Sequence, residues 1–192
     1  DGTSNLDSNR LSFGHTRLSI LDLSKSGRQP MTYRGQYTIS YNGEIFNFIE
    51  IRKELESLGH QFFSETDTEV ILAAYAEWGV ECLNKFNGMW AFAIWDAKEK
   101  LLLLTRDRYG IKPLYYSINS DKLFLFASET IAFHNITGFH PKRSENLLAK
   151  YIDDPELPEA LGLTTYSNIR QVKPGCYLEV RENGRHIKEE KW

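Results

Sequence analysis

Two apolar segments joined by a short polar turn constrain the fold of this chain more than any other feature. Residues 89–95 read Met-Trp-Ala-Phe-Ala-Ile-Trp, and residues 101–104 are four consecutive leucines. Neither segment alternates apolar with polar residues, so each predicts a strand that is buried on both faces. A chain of 192 residues, 41% of them hydrophobic, is long enough to cover such strands. The sequence therefore predicts a central sheet with a further layer on each side.

The other periodic segments predict more strands and several helices. The alternation from Tyr37 to Tyr41 predicts a strand, and Asn42-Gly43 predicts a sharp turn at its end. The capping-box sequence Thr66-Asp-Thr-Glu69 predicts the start of a helix with one apolar face. The remaining predicted elements are a strand from Arg10 that enters a loop near Asp22, a helix over 47–58, strands over 114–118 and 123–127, a helix over 145–152 and a hairpin over 176–191. Short turns between consecutive strands indicate antiparallel pairing in an α+β domain.

Composition excludes several classes of protein. The 23 basic and 26 acidic residues give a formal net charge of -3 without a polybasic run, which argues against a nucleic-acid partner. Apolar stretches are too short to cross a bilayer, and the first residues do not resemble a signal peptide, so we expect no membrane association. Cys82 and Cys176 belong to no CxxC pattern, and we interpret them as buried apolar residues of a cytoplasmic protein. We expect neither a metal site nor a glycine-rich phosphate loop.

Three short polar clusters stand at predicted strand ends or at a helix start: residues 14–17, 42–44 and 66–67. Taken singly, each has an ordinary structural explanation, namely a surface arginine, a turn and a helix cap. Each also has a functional interpretation. Asn42-Gly43 could offer two donors to an oxyanion, and Arg17 could bind a carboxylate through two hydrogen bonds. A fourth segment, residues 106–116, alternates charges and predicts an ion-paired loop between two strands.

Taken in order, these segments resemble a known family. They are GHTRLSILD (14–22), QP (29–30), YNGEIFNF (41–48), TDTEVIL (66–72), FNGMWAFAIWD (86–96), RDRYGIKPLYY (106–116) and FASE (126–129). The series is similar to the class II glutamine amidotransferase domain in its asparagine synthetase branch, and it extends over about two thirds of the chain. The resemblance implies a four-layer αββα sandwich of the N-terminal-nucleophile hydrolase type with antiparallel sheets. It also implies hydrolysis of L-glutamine to glutamate and ammonia.

The resemblance further implies a role for each matching residue. Arg17 would bind the α-carboxylate of glutamine, while Glu44 and Asp67 would bind its α-ammonium group. The side-chain amide of Asn42 and the N–H of Gly43 would form the oxyanion hole. The strand that lines the pocket would comprise Leu18, Ser19, Ile20 and Leu21. Residues 1–140 would be the glutaminase core, and residues 141–192 a connector towards a synthetase domain.

The family nucleophile is a cysteine at the mature N-terminus, whose own α-amine serves as its base. This chain begins at Asp1, and Asp1-Gly2 is similar to a family segment that lies a few dozen residues inside the domain. We therefore expect the catalytic strand to lie outside this sequence, and the chain alone to be inactive. ATP and magnesium are expected only in the synthetase domain, and a homodimer remains open. The resemblance implies an ammonia acceptor such as aspartate. Two alternatives stay open as well: a different acceptor, such as a sugar or another carboxylate, and a non-catalytic module that binds glutamine or a partner protein.

Overall fold

The computed structural model describes residues 2–8, 10–16, 27–118, 123–154 and 156–192. Within these ranges the strands are β1 (Gly2–Leu6), β2 (Leu11–His15), β3 (Met31–Tyr33), β4 (Tyr37–Ile45), β5 (Gly88–Asp96), β6 (Leu101–Arg106), β7 (Tyr115–Ile118), β8 (Phe124–Ala127), β9 (Arg170–Gln171), β10 (Cys176–Arg181) and β11 (His186–Lys191). The helices are α1 (Phe48–Ser57), α2 (Asp67–Trp78), α3 (Glu145–Asp153) and α4 (Glu156–Ala160). Short 3₁₀ helices cover Gly79–Lys85, Thr130–Asn135 and Glu182–Gly184.

A six-stranded antiparallel sheet in the order β11-β10-β6-β5-β4-β3 forms the centre of the molecule. The two apolar segments are β5 and β6, and both are buried as predicted. Successive side chains of β5 enter different cores, because a strand projects its side chains alternately to its two faces. One core receives Trp90, Phe92 and Ile94, and the other receives Ala91, Ala93 and Trp95.

The central sheet is one of four layers, which confirms the αββα architecture. Helices α1 and α2 cover one face and share a hydrophobic core with it. The hairpin β1-β2 and the three-stranded sheet β8-β7-β9 cover the other face. Outside this second layer, the 3₁₀ helix Thr130–Asn135 and the segment after it pack through Phe133, Phe139 and Ile169. Among the described residues, the elements that pack through these three side chains are therefore shorter than α1 and α2.

Helix α2 begins where the capping box predicts, because the Thr66 hydroxyl accepts a hydrogen bond from the Glu69 N–H at 3.3 Å. The Glu69 carboxylate does not reach back to Thr66; it accepts hydrogen bonds from the N–H groups of Phe63 and Ser64. The prediction of a single apolar face is wrong. Every residue from Asp67 to Tyr75 is buried, since α1 covers the side of α2 that the sheet leaves free.

The predicted turn at Asn42-Gly43 is also wrong. Strand β4 continues to Ile45 and pairs with β5 along its whole length. A Cβ atom on Gly43 would overlap Met89 O and lie 2.6 Å from Trp90 Cα. The glycine is thus needed for the close approach of two strands rather than for a turn, and cross-strand pairing overrides the local preference of the dipeptide.

The segment after residue 140 is joined to the rest by strand pairing. Strand β9 pairs with β7, and the β10–β11 hairpin pairs with β6 at the edge of the central sheet. The division of the chain at residue 140 stays a prediction. Cys82 and Cys176 are buried as expected, and burial raises the pKa of both thiols. Among the described residues, no helix is long and apolar enough to span a membrane.

Candidate active site

A cavity of about 570 Å³ lies between the two sheets at the end of β4. Strand β4 turns Ser40, Asn42 and Glu44 towards it, because alternate residues of a strand share a face. Ala93 and Ala91 stand opposite Ser40 and Asn42 on β5. Because alanine side chains are small, they leave space for the cavity next to Ser40 and Asn42. The polar residues of β4 therefore line the cavity on one face of the strand, while its apolar side chains are buried on the opposite face.

Two adjacent donors of β4 border this cavity. The N–H and C=O of Trp90 bond to Asp107, on the side of β5 away from β4. Gly43 pairs with Trp90, and two residues opposite each other in antiparallel strands either exchange both backbone hydrogen bonds or exchange none. The Gly43 N–H therefore points away from β5, past the end of β3. The Asn42 side chain is exposed to the cavity beside it. A side-chain amide and a backbone N–H next to each other are the donors that an oxyanion requires.

The backbone N–H groups on either side of Gly43 along this edge have buried acceptors. The Tyr41 N–H donates to the side-chain carbonyl of Gln29 at 2.7 Å, and the Ile45 N–H donates to the Asp67 carboxylate at 3.0 Å. These two hydrogen bonds fix the backbone before and after Gly43. The position of the Gly43 N–H is thus set by its neighbours before any ligand binds.

Asp67 is buried at the N-terminus of α2, with 5% of its surface exposed. Its Oδ2 accepts hydrogen bonds from the Tyr41 hydroxyl at 2.7 Å and from the Ile45 N–H. Burial raises the pKa of this carboxyl, the negative charge of Glu44 raises it further, and the hydrogen bonds from Tyr41, Ile45 and Thr68 oppose the rise. Two carboxylates thus face one part of the cavity, which favours a cation there.

The raised pKa of Asp67 has opposite consequences for stability and for binding. Ionised Asp67 is disfavoured in the folded protein relative to the unfolded chain. Its stabilising contribution is therefore present below the ordinary pKa of an aspartic acid and is lost as the pH rises through the raised pKa. Binding of a cation, in contrast, requires the ionised form and weakens as the pH falls through the raised pKa. The ionised form of Asp67 that cation binding requires is therefore the form that lowers the stability of the fold.

Comparison with known proteins identifies the family. The family described as "glutamine amidotransferase domain" matches this chain over residues 1–192. The chain belongs to this family. Asparagine synthetase [glutamine-hydrolyzing] 3 of Bacillus subtilis is 40% identical to the amidotransferase domain over 186 residues, which are 91% of this chain and 28% of that protein. Amidase chyE of Penicillium rubens is 35% identical over 193 residues, with 100% of this chain and 28% of that protein covered. The chain thus spans just over a quarter of the length of each relative.

A solved structure shows the same fold. The glutamine phosphoribosylpyrophosphate amidotransferase of B. subtilis, complexed with ADP and GMP, superposes with a TM-score of 0.65 at 23% identity, covering 92% of this chain and 34% of that one. The layered arrangement of the amidotransferase domain is therefore shared with that enzyme.

The structure brings together four of the residues that the sequence singled out. Asn42, Gly43, Glu44 and Asp67 all line the cavity of the amidotransferase domain. Arg17 and the strand residues 18–21 lie outside the described residues, and their roles stay predictions. Two residues had no predicted role, Gln29 and Tyr41, although both belong to the motifs that carry the resemblance. Their buried hydrogen bonds join parts of the chain that are 12 and 26 positions apart, which no local pattern reveals.

The charged segment after β6 also shapes the cavity. Asp107, 1% exposed, accepts hydrogen bonds from the N–H groups of Trp90, Tyr109, Ile111 and Lys112. Arg106 donates to the carbonyls of Gly110, Lys112 and Val172 and pairs with Glu159. Among the described residues, the ion pair of this segment joins Arg106 to Glu159, which lies outside the segment, and most of these hydrogen bonds go to the backbone. The prediction of a loop with ion pairs between its own residues is therefore wrong. The hydrogen bonds fix the loop that presents Lys112 to the cavity.

Proposed function

We propose that this domain binds L-glutamine and, in the complete protein, hydrolyses it to glutamate and ammonia. The observation that carries the proposal is the placement of two oxyanion donors and two carboxylates around one cavity. Glutamine has a carboxamide that becomes an oxyanion during hydrolysis and an α-ammonium group that needs negative partners. The cavity offers Asn42 and Gly43 for the first and Asp67 and Glu44 for the second.

Arg17 completes the recognition of the zwitterion in this proposal. A guanidinium can bind a carboxylate through two parallel hydrogen bonds, which fixes both its position and its orientation. Arg17 would bind the α-carboxylate, while Asp67 and Glu44 would bind the ammonium group on the same α-carbon. The resemblance also assigns residues 18–21 to the lining of the pocket.

The nucleophile in this proposal is the thiolate of a cysteine at the mature N-terminus of the complete protein. The cysteine's own α-amine takes the thiol proton, and the thiolate then attacks the carboxamide carbon to give a tetrahedral oxyanion. The C–N bond breaks, ammonia leaves with that proton, and water hydrolyses the resulting thioester to glutamate and free thiol. Cys82 and Cys176 are not suited to replace this group, because neither is among the residues that line the cavity and burial raises the pKa of each thiol, which disfavours the thiolate.

The ammonia would be passed to a synthetase domain elsewhere in the complete protein. Identity of 40% to an asparagine synthetase favours aspartate as the acceptor, with ATP and magnesium bound by that other domain. The 35% identity to an amidase favours a second candidate, in which the same glutaminase domain serves a different chemistry. Acceptor choice depends on residues outside this domain. We place the complete protein in the cytoplasm.

The first test is glutamine binding to the chain itself. Asp67→Asn removes one negative charge from the ammonium site, so we expect the dissociation constant of L-glutamine to rise by about tenfold or more. Isothermal titration calorimetry measures it. Asp96→Asn is the matched control, since Asp96 is equally buried but accepts its hydrogen bonds from Gln36 and Lys98, at the opposite end of β5. Absence of binding by the unmodified chain would refute the proposed function.

A second test concerns Arg17. Replacement by lysine keeps the charge but removes the planar pair of donors, so we expect the KM for glutamine in the complete protein to rise about tenfold. Steady-state measurement of ammonia release gives KM and kcat separately. An unchanged KM would remove Arg17 from the site.

A further inference from the structure

Two hydrogen bonds and one ring contact fix Tyr41 at the point where β4 meets the start of α2. Its hydroxyl donates to Asp67 Oδ2 at 2.7 Å, and its backbone N–H donates to the buried Gln29 side chain. Its ring packs edge-on against Phe92, with ring centroids 6.4 Å apart. Only 4% of Tyr41 is exposed. The hydroxyl therefore has a fixed direction, and that direction is towards Asp67.

We propose that Tyr41 is a positioning residue of the glutamine site, whose hydroxyl orients the Asp67 carboxylate and favours its charged form. This inference rests on the proposed function, because it assigns Asp67 to the ammonium group of glutamine. Tyr41 itself does not touch the substrate in this scheme. It acts on glutamine through Asp67 alone.

The physical reason is the unfavourable environment of the Asp67 charge. The carboxylate is desolvated and lies near the charge of Glu44, and both effects raise the pKa of Asp67. A hydroxyl donor lowers it, because a hydrogen bond to a carboxylate stabilises the charged form. Burial raises the pKa of Tyr41 far above its usual range, which favours the protonated hydroxyl that donates to Asp67. Within the part of the chain that the structure describes, the other charged or titratable side chains that line the cavity are His15, Lys112 and Glu129.

Tyr41→Phe tests this role without any ligand. The replacement removes one oxygen atom and keeps the ring that packs on Phe92. We expect the titration midpoint of the Asp67 carboxyl, followed by carbon NMR, to move to higher pH than in the unmodified chain. Tyr177→Phe is the matched control, since it removes a hydroxyl that bonds to Glu190, outside the residues that line the cavity. An Asp67 midpoint that is the same in Tyr41→Phe and in the unmodified chain would overturn the inference.

A fluorinated protein provides the same test if Tyr41→Phe does not fold. Growth on 3-fluorotyrosine keeps every hydroxyl and makes it a stronger donor. The Asp67 midpoint should then move to lower pH, and a midpoint that stays in place would overturn the inference. The sign of this shift is opposite to that in Tyr41→Phe.

Glutamine binding then tests the functional part. We expect Tyr41→Phe to weaken L-glutamine binding by about tenfold and Tyr177→Phe to leave it unchanged. In the Asp67→Asn background, Tyr41→Phe should cause little additional loss, because its effect passes through the Asp67 charge. Full additivity of the two losses would show that Tyr41 acts by packing and would overturn the inference. If the unmodified chain does not bind glutamine, the proposed function fails, while the Asp67 titration still decides whether Tyr41 sets the state of that carboxyl.

Discussion

Asn42→Ala should lower kcat for glutamine hydrolysis by about 10² to 10³ in the complete protein. The Asn42 amide borders the cavity beside the Gly43 N–H, where the oxyanion of the tetrahedral intermediate would form. Because this charge develops during the reaction, loss of the donor should change kcat far more than KM. The measurement is ammonia release at saturating glutamine.

The matched control for this effect is Asn84→Ala. Asn84 is an exposed asparagine whose amide donates to Glu81, and it does not line the cavity. We expect wild-type kcat from this variant. A loss confined to KM in Asn42→Ala would instead make Asn42 a contact to bound glutamine in its ground state.

Gly43→Ala should destabilise the fold by about 3 kcal/mol, which corresponds to a fall in Tm of roughly 6 to 12 °C for a domain of this size. The added Cβ would collide with Met89 O and approach Trp90 Cα to 2.6 Å, and both are backbone atoms at the centre of the sheet. Neither can move without disturbing the pairing of β4 with β5. Thermal unfolding followed by circular dichroism measures the loss.

Gly14→Ala is the comparison that separates close approach from the general effect of replacing a glycine. Gly14 also lies in a strand beside the cavity, but a Cβ there would meet nothing within 4 Å. We expect its Tm to stay near that of the unmodified chain or to rise slightly, because alanine reduces the freedom of the unfolded chain. Equal Tm values for the two variants would contradict the role that we give to Gly43.

The proposed glutamine site combines features that destabilise a folded chain when each stands alone. A desolvated carboxylate lies near a second one, and a glycine lies within a central strand. The surrounding hydrogen bonds from Tyr41, Ile45 and Thr68 offset part of the first effect. The proposed binding of an ammonium group requires this excess of negative charge, and we therefore expect the site to lower the stability of the fold.

The sequence by itself determined the layers of this protein and its family. The apolar segments 89–95 and 101–104 required a covered sheet, because strands without polar alternation have no face for water. The capping box determined the start of α2, since hydroxyl and backbone are only three residues apart. Local patterns of this kind depend on neighbours in the chain and can be read directly.

Tertiary structure alone decided how the site is held together. Asn42-Gly43 forms part of a strand rather than a turn because β5 pairs with it, and α2 is buried on all sides from Asp67 to Tyr75 because α1 packs over it. Gln29, Tyr41 and Asp67 meet through hydrogen bonds that span 12 and 26 positions. Such contacts form only when the sheet and helix layers come together, so their energies belong to the packed fold and not to any local segment of the chain.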